Sequence, residues 1–158
     1  GDVKGSWQAM EDLYKEGKIR AIGLSNFEQD QMAELMKYAS INPAVNQIET
    51  HVFFQQNKAH EVLKKYDIQM EAWSPFAAGR NGIFTNMTLA NIGSQYNKSI
   101  AQVCLRWHYQ RGIVAIPRSS QKAHMMENLD IFDFELSKKD MKTIAKLDLN
   151  ITQFPEWE

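Results

Sequence analysis

Residues 19–51 read IRAIGLSNFEQDQMAELMKYASINPAVNQIETH and contain two apolar runs separated by a helical pattern. The runs, residues 19–25 and 43–49, have the length of buried strands. Between them, apolar residues recur at the spacing of one helix face: Met32, Leu35, Met36 and Ala39. Two strands joined in this way run parallel, because the helical crossover returns the chain to the same edge of the sheet.

The alternation continues along the chain. Residues 68–74 and 112–117 are two further predicted strands, and residues 76–97 are an insertion that starts as a loop and ends as a short helix. Helical spacing also appears at Trp7, Met10, Leu13 and Tyr14, at Ala59, Val62, Leu63 and Tyr66, and at Ile100, Val103, Cys104 and Trp107. No linker or repeat interrupts the pattern. We therefore expect a single domain over residues 1–158.

Helix boundaries are marked by short polar signals. Ser25 with Glu28, and Ser137 with Asp140, have the spacing of a capping box or close to it. Gly17 and Gly112 follow helical patterns, which predicts a helix end at each.

Composition limits the classes of function. The 158 residues are 44% hydrophobic, and 18 basic residues balance 19 acidic ones to a net charge of −1. This balance excludes the basic footprint of a nucleic-acid protein, and no apolar run approaches the roughly 20 residues of a membrane span. We expect a cytoplasmic protein with no nucleic-acid or membrane partner and no metal. Cys104, the single cysteine, is predicted to pack in the core, and the absence of an initiator methionine at Gly1 suggests a fragment.

The ends of the predicted strands indicate the type of sheet. The turn GLSNFE after the first strand lacks the second and third glycines of a doubly wound nucleotide fold. The four strand ends, SNF, QIETH, WSPF and PRSS, are polar or aromatic although the strand bodies are apolar. This pattern is typical of an α/β barrel, whose chemistry lies at the C-terminal ends of its strands.

The order of these segments resembles a known family. GKIRAIGLSNF, VNQIETH, EAWSPFAAGR and AIPRSSQKAHMMENLDIFDFELS are similar to segments of the aldo/keto reductase superfamily, above all its bacterial diketogluconate reductase-like and prostaglandin F synthase-like members. The resemblance runs from about Gly5 to about Leu149. It implies a (β/α)₈ TIM-type barrel of which this chain supplies strands five to eight, the C-terminal half, and it implies NADPH-dependent reduction of aldehydes and ketones.

The segment from Pro117 to Ser120 has the chemistry of an anion site. Pro117 ends the strand because it donates no ladder hydrogen bond. Arg118 adds a planar cation, and Ser119 and Ser120 add hydroxyl donors close to a helix start. An ordinary solvated turn with a helix cap is the alternative interpretation.

The resemblance extends this anion site into a cofactor site. It implies that Arg118 and Ser119, with Ser120 beside them, hold the 2'-phosphate of NADP(H), and that Glu127 and Asn128 contact the adenosine end. His124 stands where many family members carry arginine.

Other strand ends correspond to the rest of the cofactor. The resemblance assigns the nicotinamide carboxamide to Ser25, Asn26 and Gln47, ring stacking to Trp73, and the loop over the pyrophosphate to Ser74 and Phe76. A satisfied core amide at Gln47 and plain packing at Trp73 are the alternatives.

No catalytic residue is assigned to this chain. The tyrosine, lysine, aspartate and histidine of the family lie in the half that precedes a GDVKGSW-like segment, and the five tyrosines here fall in helical patterns. We expect no carbonyl reduction by the chain alone. His51, Phe154 and Trp157 are candidates to line a substrate mouth.

Two functions remain open. The first is a reductase of small carbonyl compounds, completed by the missing N-terminal half or by a second copy of the chain. The alternative is a non-catalytic nucleotide-binding or regulatory protein on the same fold.

Overall fold

The computed structural model describes residues 1–157, in which short strands alternate with helices. The strands are β1 (Leu24–Ser25), β2 (Val45–Glu49), β3 (Gln69–Trp73) and β4 (Val114–Ala115). The helices are α1 (Val3–Lys15), α2 (Gln29–Leu35), α3 (Asn57–Lys65), α4 (Met87–Tyr96), α5 (Ile100–Gln110), α6 (Lys122–Leu129) and α7 (Lys138–Ala145), with 3₁₀ turns at Ala77–Thr85 and Pro155–Trp157. The four strands form one sheet in the order β1-β2-β3-β4. The predicted α/β class is confirmed.

Searched over the same residues, no helix combines the length and the apolar character that crossing a membrane requires.

The β1 and β2 strands pair in parallel, as the sequence predicts. Leu24 lies opposite Asn46 and Ser25 opposite Gln47. Gly23 permits this close pairing, because a Cβ atom at this position would fall 2.4 Å from a methyl carbon of Val45. β1 is shorter than the predicted run of residues 19–25.

The described residues form two compact units that interleave along the chain. The first unit consists of residues 1–48 and 57–71, and the second of residues 49–56 together with residue 72 onward. The prediction of a single domain stays a prediction.

Each unit has its own buried side chains. In the first unit these include Trp7, Met32, Leu35, Leu63 and Met70. In the second unit one apolar cluster contains Val52, Phe53, Ala77, Ile83, Leu89, Ile92, Val103, Cys104, Trp107, Leu136 and Ile144. Burial raises the pKa of the Cys104 thiol to about 12, so its predicted role as a packing residue is confirmed.

Most of the predicted helix boundaries are correct, and one is wrong. Gly17 and Gly112 both adopt positive φ directly after a helix, and Ser137 forms the expected box with Asp140. Ser25, however, does not cap α2, because it is the last residue of β1. Glu28 is the N-cap, in a reciprocal box with Gln31.

Candidate functional site

A pocket of about 520 Å³ lies within the second unit. Three chain segments form its walls: the loop after β3, the first turn of α5, and the β4–α6 turn with α6 itself. The lining residues are Phe76, Phe84, Ser99, Ile100, Ala101, Arg118, Ser119, His124, Glu127 and Asn128. Six of the predicted cofactor residues therefore share one pocket.

The turn from β4 to α6 presents a cation and a hydroxyl to this pocket. Arg118 is exposed, which leaves its guanidinium available to a ligand. The Ser119 hydroxyl oxygen accepts a hydrogen bond from the Gln121 backbone N–H at 3.1 Å, so its position is set by the turn. Ser120 is exposed in the same turn, and its predicted contact with the phosphate stays a prediction.

The α6 helix contributes hydrogen-bond acceptors, in contrast to the donors at Arg118 and Ser119. His124 is exposed, whereas Glu127 and Asn128 are half-buried in the pocket. A carboxylate and an amide can accept hydrogen bonds from ribose hydroxyls or an adenine amino group. The pocket thus combines a cationic end with an accepting end.

The loop after β3 is held in an unusual backbone conformation. Four non-glycine residues of this loop have φ near +50°: Ser74, Ala77, Ala78 and Asn81. Each costs about 1–3 kcal/mol, and such residues cluster at ligand-binding loops. The loop brings Phe76 to the pocket, where its ring lies 5.6 Å from that of Phe84.

Trp73 lies at the end of β3 among aromatic rings. Its ring centroid is 5.1 Å from that of Phe154 and 5.4 Å from that of Trp157. This cluster agrees with the packing interpretation of Trp73, and nicotinamide stacking stays a prediction. The exposed ring of Trp157 stacks on Phe154.

The remaining predicted residues lie together in the first unit. The side-chain amide of Gln47 donates to the Glu71 carboxylate at 2.5 Å, and the Asn26 backbone N–H donates to the Gln47 carbonyl at 2.9 Å. Asn26 adopts φ 55°. Ser25 is exposed and lines a separate pocket of about 260 Å³. Gln47 is half-buried, and its amide nitrogen has an internal acceptor. The contacts of Ser25, Asn26 and Gln47 with the nicotinamide carboxamide stay predictions.

His51 is fully buried, so the expectation that it lines an open substrate mouth is wrong. Its Nδ1 accepts from the Phe53 N–H at 3.3 Å, so Nε2 carries the proton and donates to Glu49 at 2.7 Å. Burial alone raises the pKa of Glu49, but hydrogen bonds from His51, Thr152 and Gln153 outweigh it and hold that pKa below its ordinary value. The pair anchors the C-terminal segment.

Sequence reasoning missed one wall of the pocket. Ser99, Ile100 and Ala101 form the first turn of α5, and Ser99 and Gln102 make a reciprocal capping box there. The Ser-x-x-Gln spacing signals such a helix start. That signal locates the helix start but not the ligand pocket beside it.

Comparison with known proteins identifies the family. Residues 3–149 match the model of the aldo/keto reductase family. The chain is 48% identical over 145 residues to the glyoxal reductase of Bacillus subtilis (strain 168), which covers 92% of this chain and 52% of that protein. The chain thus spans about half the length of the curated relatives it matches.

Solved structures agree. An aldo-keto reductase enzyme from a Medee basin deep-sea metagenome library has a TM-score of 0.90 and 40% identity, covering 92% of this chain and 54% of that one. An aldo-keto reductase complexed with NADPH has a TM-score of 0.88 and 35% identity, covering 93% and 48%. These likenesses confirm the predicted barrel-type α/β fold. With four ordered motifs, one family model and these relatives in agreement, the chain belongs to the aldo/keto reductase family.

Proposed function

We propose that this chain carries the NADP(H)-binding part of a cytoplasmic aldo/keto reductase that reduces small aldehydes and ketones. The observation that carries the proposal is the pocket in which Arg118 and Ser119 lie with Glu127 and Asn128. The similarity to a reductase complexed with NADPH supports the choice of cofactor. The similarity to a glyoxal reductase supports a small carbonyl substrate.

The adenosine end of NADP(H) fits the charges of this pocket. Its 2'-phosphate is an anion that the Arg118 guanidinium can hold through two parallel N–H donors, and the Ser119 hydroxyl is a further short donor. Glu127 and Asn128 offer acceptors to the ribose or the adenine amino group. Phe76 and Phe84 supply the apolar surface on which a planar base packs.

The proposal assigns no acid catalyst to this chain. Tyr14, Tyr96 and Tyr109 lie within helices, and the Tyr96 hydroxyl is engaged by the Asp140 carboxylate at 2.5 Å. The proton that accompanies hydride transfer would come from a residue of the missing half or of a second copy of the chain. This chain would bind and orient the nucleotide.

The test compares two cofactors that differ only in the 2'-phosphate. Arg118→Ala should weaken NADPH binding by roughly 10- to 100-fold, because one charge-assisted contact contributes about 1.5–3 kcal/mol. NADH binding should change less than about twofold. Dissociation constants from calorimetric titration of the full chain, alone or assembled with its other half, measure both.

Lys122→Ala is the matched control, since it removes an exposed cation from the first residue of α6, outside the pocket lining. It should affect both cofactors little. Equal weakening of NADPH and NADH by Arg118→Ala would contradict the assignment.

A further inference from the structure

Helix α6 carries three of the ten pocket residues but buries no apolar side chain of its own. None of the residues of α6 is buried. Met125 is 45% exposed, Met126 62% and Leu129 72%. In most helices, burial of an apolar face provides the stability. The position of Glu127 and Asn128 must therefore be set by other contacts.

Gln102 provides these contacts from α5. Its side-chain Nε2 donates to the carbonyl oxygens of Asp130 at 2.7 Å and Glu127 at 3.3 Å. These carbonyls belong to the C-terminal end of α6, where backbone acceptors lack the regular i+4 donor. The Glu127 carbonyl also accepts from the Asp130 N–H at 3.1 Å, so Gln102 adds a second donor there. The same side chain accepts from the Ser99 N–H at 3.0 Å through Oε1. Both ends of a buried amide are thus engaged, one on each helix.

Gln102 belongs to a row of polar side chains at intervals of four residues. Lys98 bonds to the Asp130 carboxylate at 2.8 Å, Arg106 donates to the Ile131 carbonyl at 3.1 Å, and Gln110 makes two hydrogen bonds with the Leu136 backbone. Together these side chains bind the segment that follows α6, at Asp130, Ile131 and Leu136. Within the row, Gln102 is the member that bridges two walls of the pocket, Ser99–Ala101 and Glu127–Asn128.

We propose that Gln102 is a positioning residue for the nucleotide. Its amide holds the first turn of α5 and the last turn of α6 at the separation that the adenosine end of NADP(H) requires, and it does not touch the ligand itself. This inference rests on the proposed function for the identity of the ligand.

The experiment titrates the full chain with adenosine 2',5'-bisphosphate, the adenosine part of NADP(H), in a calorimeter. Gln102→Leu removes both ends of the amide and should weaken binding at least tenfold. Gln110→Leu is the matched control, because it removes the same amide two turns along the same helix, where its partners are Leu136 and Arg106, neither of which lines the pocket. It should lower the melting temperature by a similar amount and leave binding within about twofold.

A second variant keeps the test interpretable if Gln102→Leu fails to fold. Gln102→Glu keeps the acceptor for the Ser99 N–H but loses the donors to Glu127 and Asp130. It should therefore fold with an intact cap on α5 and still bind the bisphosphate at least tenfold more weakly. Wild-type affinity in both Gln102 variants, or equal losses in Gln102→Leu and Gln110→Leu, would overturn the inference while leaving the proposed function intact.

Hydrogen exchange distinguishes a failure of the proposed function from a failure of the role inferred for Gln102. If the wild-type chain does not bind the bisphosphate, the proposed function fails, and so does the identity of the ligand. Exchange at the amides of residues 122–130 then decides on positioning. Faster exchange in Gln102→Leu than in Gln110→Leu supports it, and equal rates overturn it.

Discussion

The Glu11 side chain shows how one residue ties a helix to a distant loop. It is 1% exposed and accepts hydrogen bonds from the Trp7 ring N–H at 2.9 Å, the Ser40 backbone and hydroxyl at 2.7 and 2.6 Å, and the Ile41 N–H at 3.0 Å. Burial raises its pKa, but these donors outweigh burial and lower it to about 2. The carboxylate is therefore the stable form in the fold.

Glu11→Gln should destabilise the chain by about 1.5–3 kcal/mol, because an amide replaces a charged acceptor among four donors. The folded pKa lies below the ordinary value of 4.5. The stabilisation from Glu11 is then fully present above about pH 4.5 and is lost as the pH falls toward 2. Denaturant unfolding across this range should show a steeper loss in the wild type than in the variant.

Glu16→Gln is the control, since Glu16 is exposed at the end of the same helix. It should change the free energy of unfolding by less than about 0.5 kcal/mol. The same pH dependence in wild type and Glu11→Gln would contradict the role given to Glu11.

At the scale of elements, the corner between α4 and α5 sets the second wall of the pocket. Asn97 ends α4 with φ 54° and turns the chain back, so that the Lys98 N–H donates to the Gly93 carbonyl at 2.9 Å. The Lys98 carbonyl then lies over Gly93. A Cβ atom there would fall 2.4 Å from that oxygen and 3.3 Å from a methyl carbon of Val103.

Two effects compete in Gly93→Ala. Alanine gains about 1 kcal/mol of helix propensity, but the contact with a backbone carbonyl forces the corner to shift. Overpacking of this kind costs about 1–3 kcal/mol, and we expect net destabilisation in thermal unfolding. Ser94→Ala, the next residue on an exposed part of α4, meets no such backbone and should be neutral. A stabilised Gly93→Ala protein would refute the clash.

At the scale of the whole molecule, the sheet has two edges. β1 and β4 stand at the ends of the strand order. Val114, the first residue of β4, is 46% exposed, and Ile116, which follows β4, is 43% exposed. Apolar edge strands favour addition of another chain. We propose that a second copy of the chain, or another segment that completes a barrel, pairs with these edges.

The purified chain should therefore sediment as a dimer or a larger assembly. Combining Val114→Lys with Ile116→Lys should shift it toward monomer, because charges on an edge strand oppose strand pairing. Leu149→Lys, which replaces an exposed apolar residue outside the strands, should leave the distribution unchanged. Wild-type chain that sediments as one monomeric species would contradict the edge interpretation.

The alternation of strands and helices, the parallel pairing and the helix-ending glycines were predictable from the sequence. They depend on local periodicity and on backbone preferences that each segment carries by itself. The ordered motifs likewise identify the family, and they predict Arg118, Ser119, Glu127 and Asn128 as cofactor residues, which share one pocket in the fold.

Tertiary structure alone decided which polar groups meet. The sequence patterns give no role to Glu11 or Gln102 and place His51 at a substrate mouth. In the fold, Glu11 is a buried acceptor, His51 donates to Glu49, and Gln102 bridges two helices. Glu11 meets Ser40 and Ile41, and Gln102 meets Glu127 and Asp130, all distant along the chain. His51 lies only two residues from Glu49, but the Glu49 carboxylate also binds the distant residues 152 and 153. Hydrogen bonds between distant residues form only when whole elements pack together. Local sequence patterns do not predict that packing.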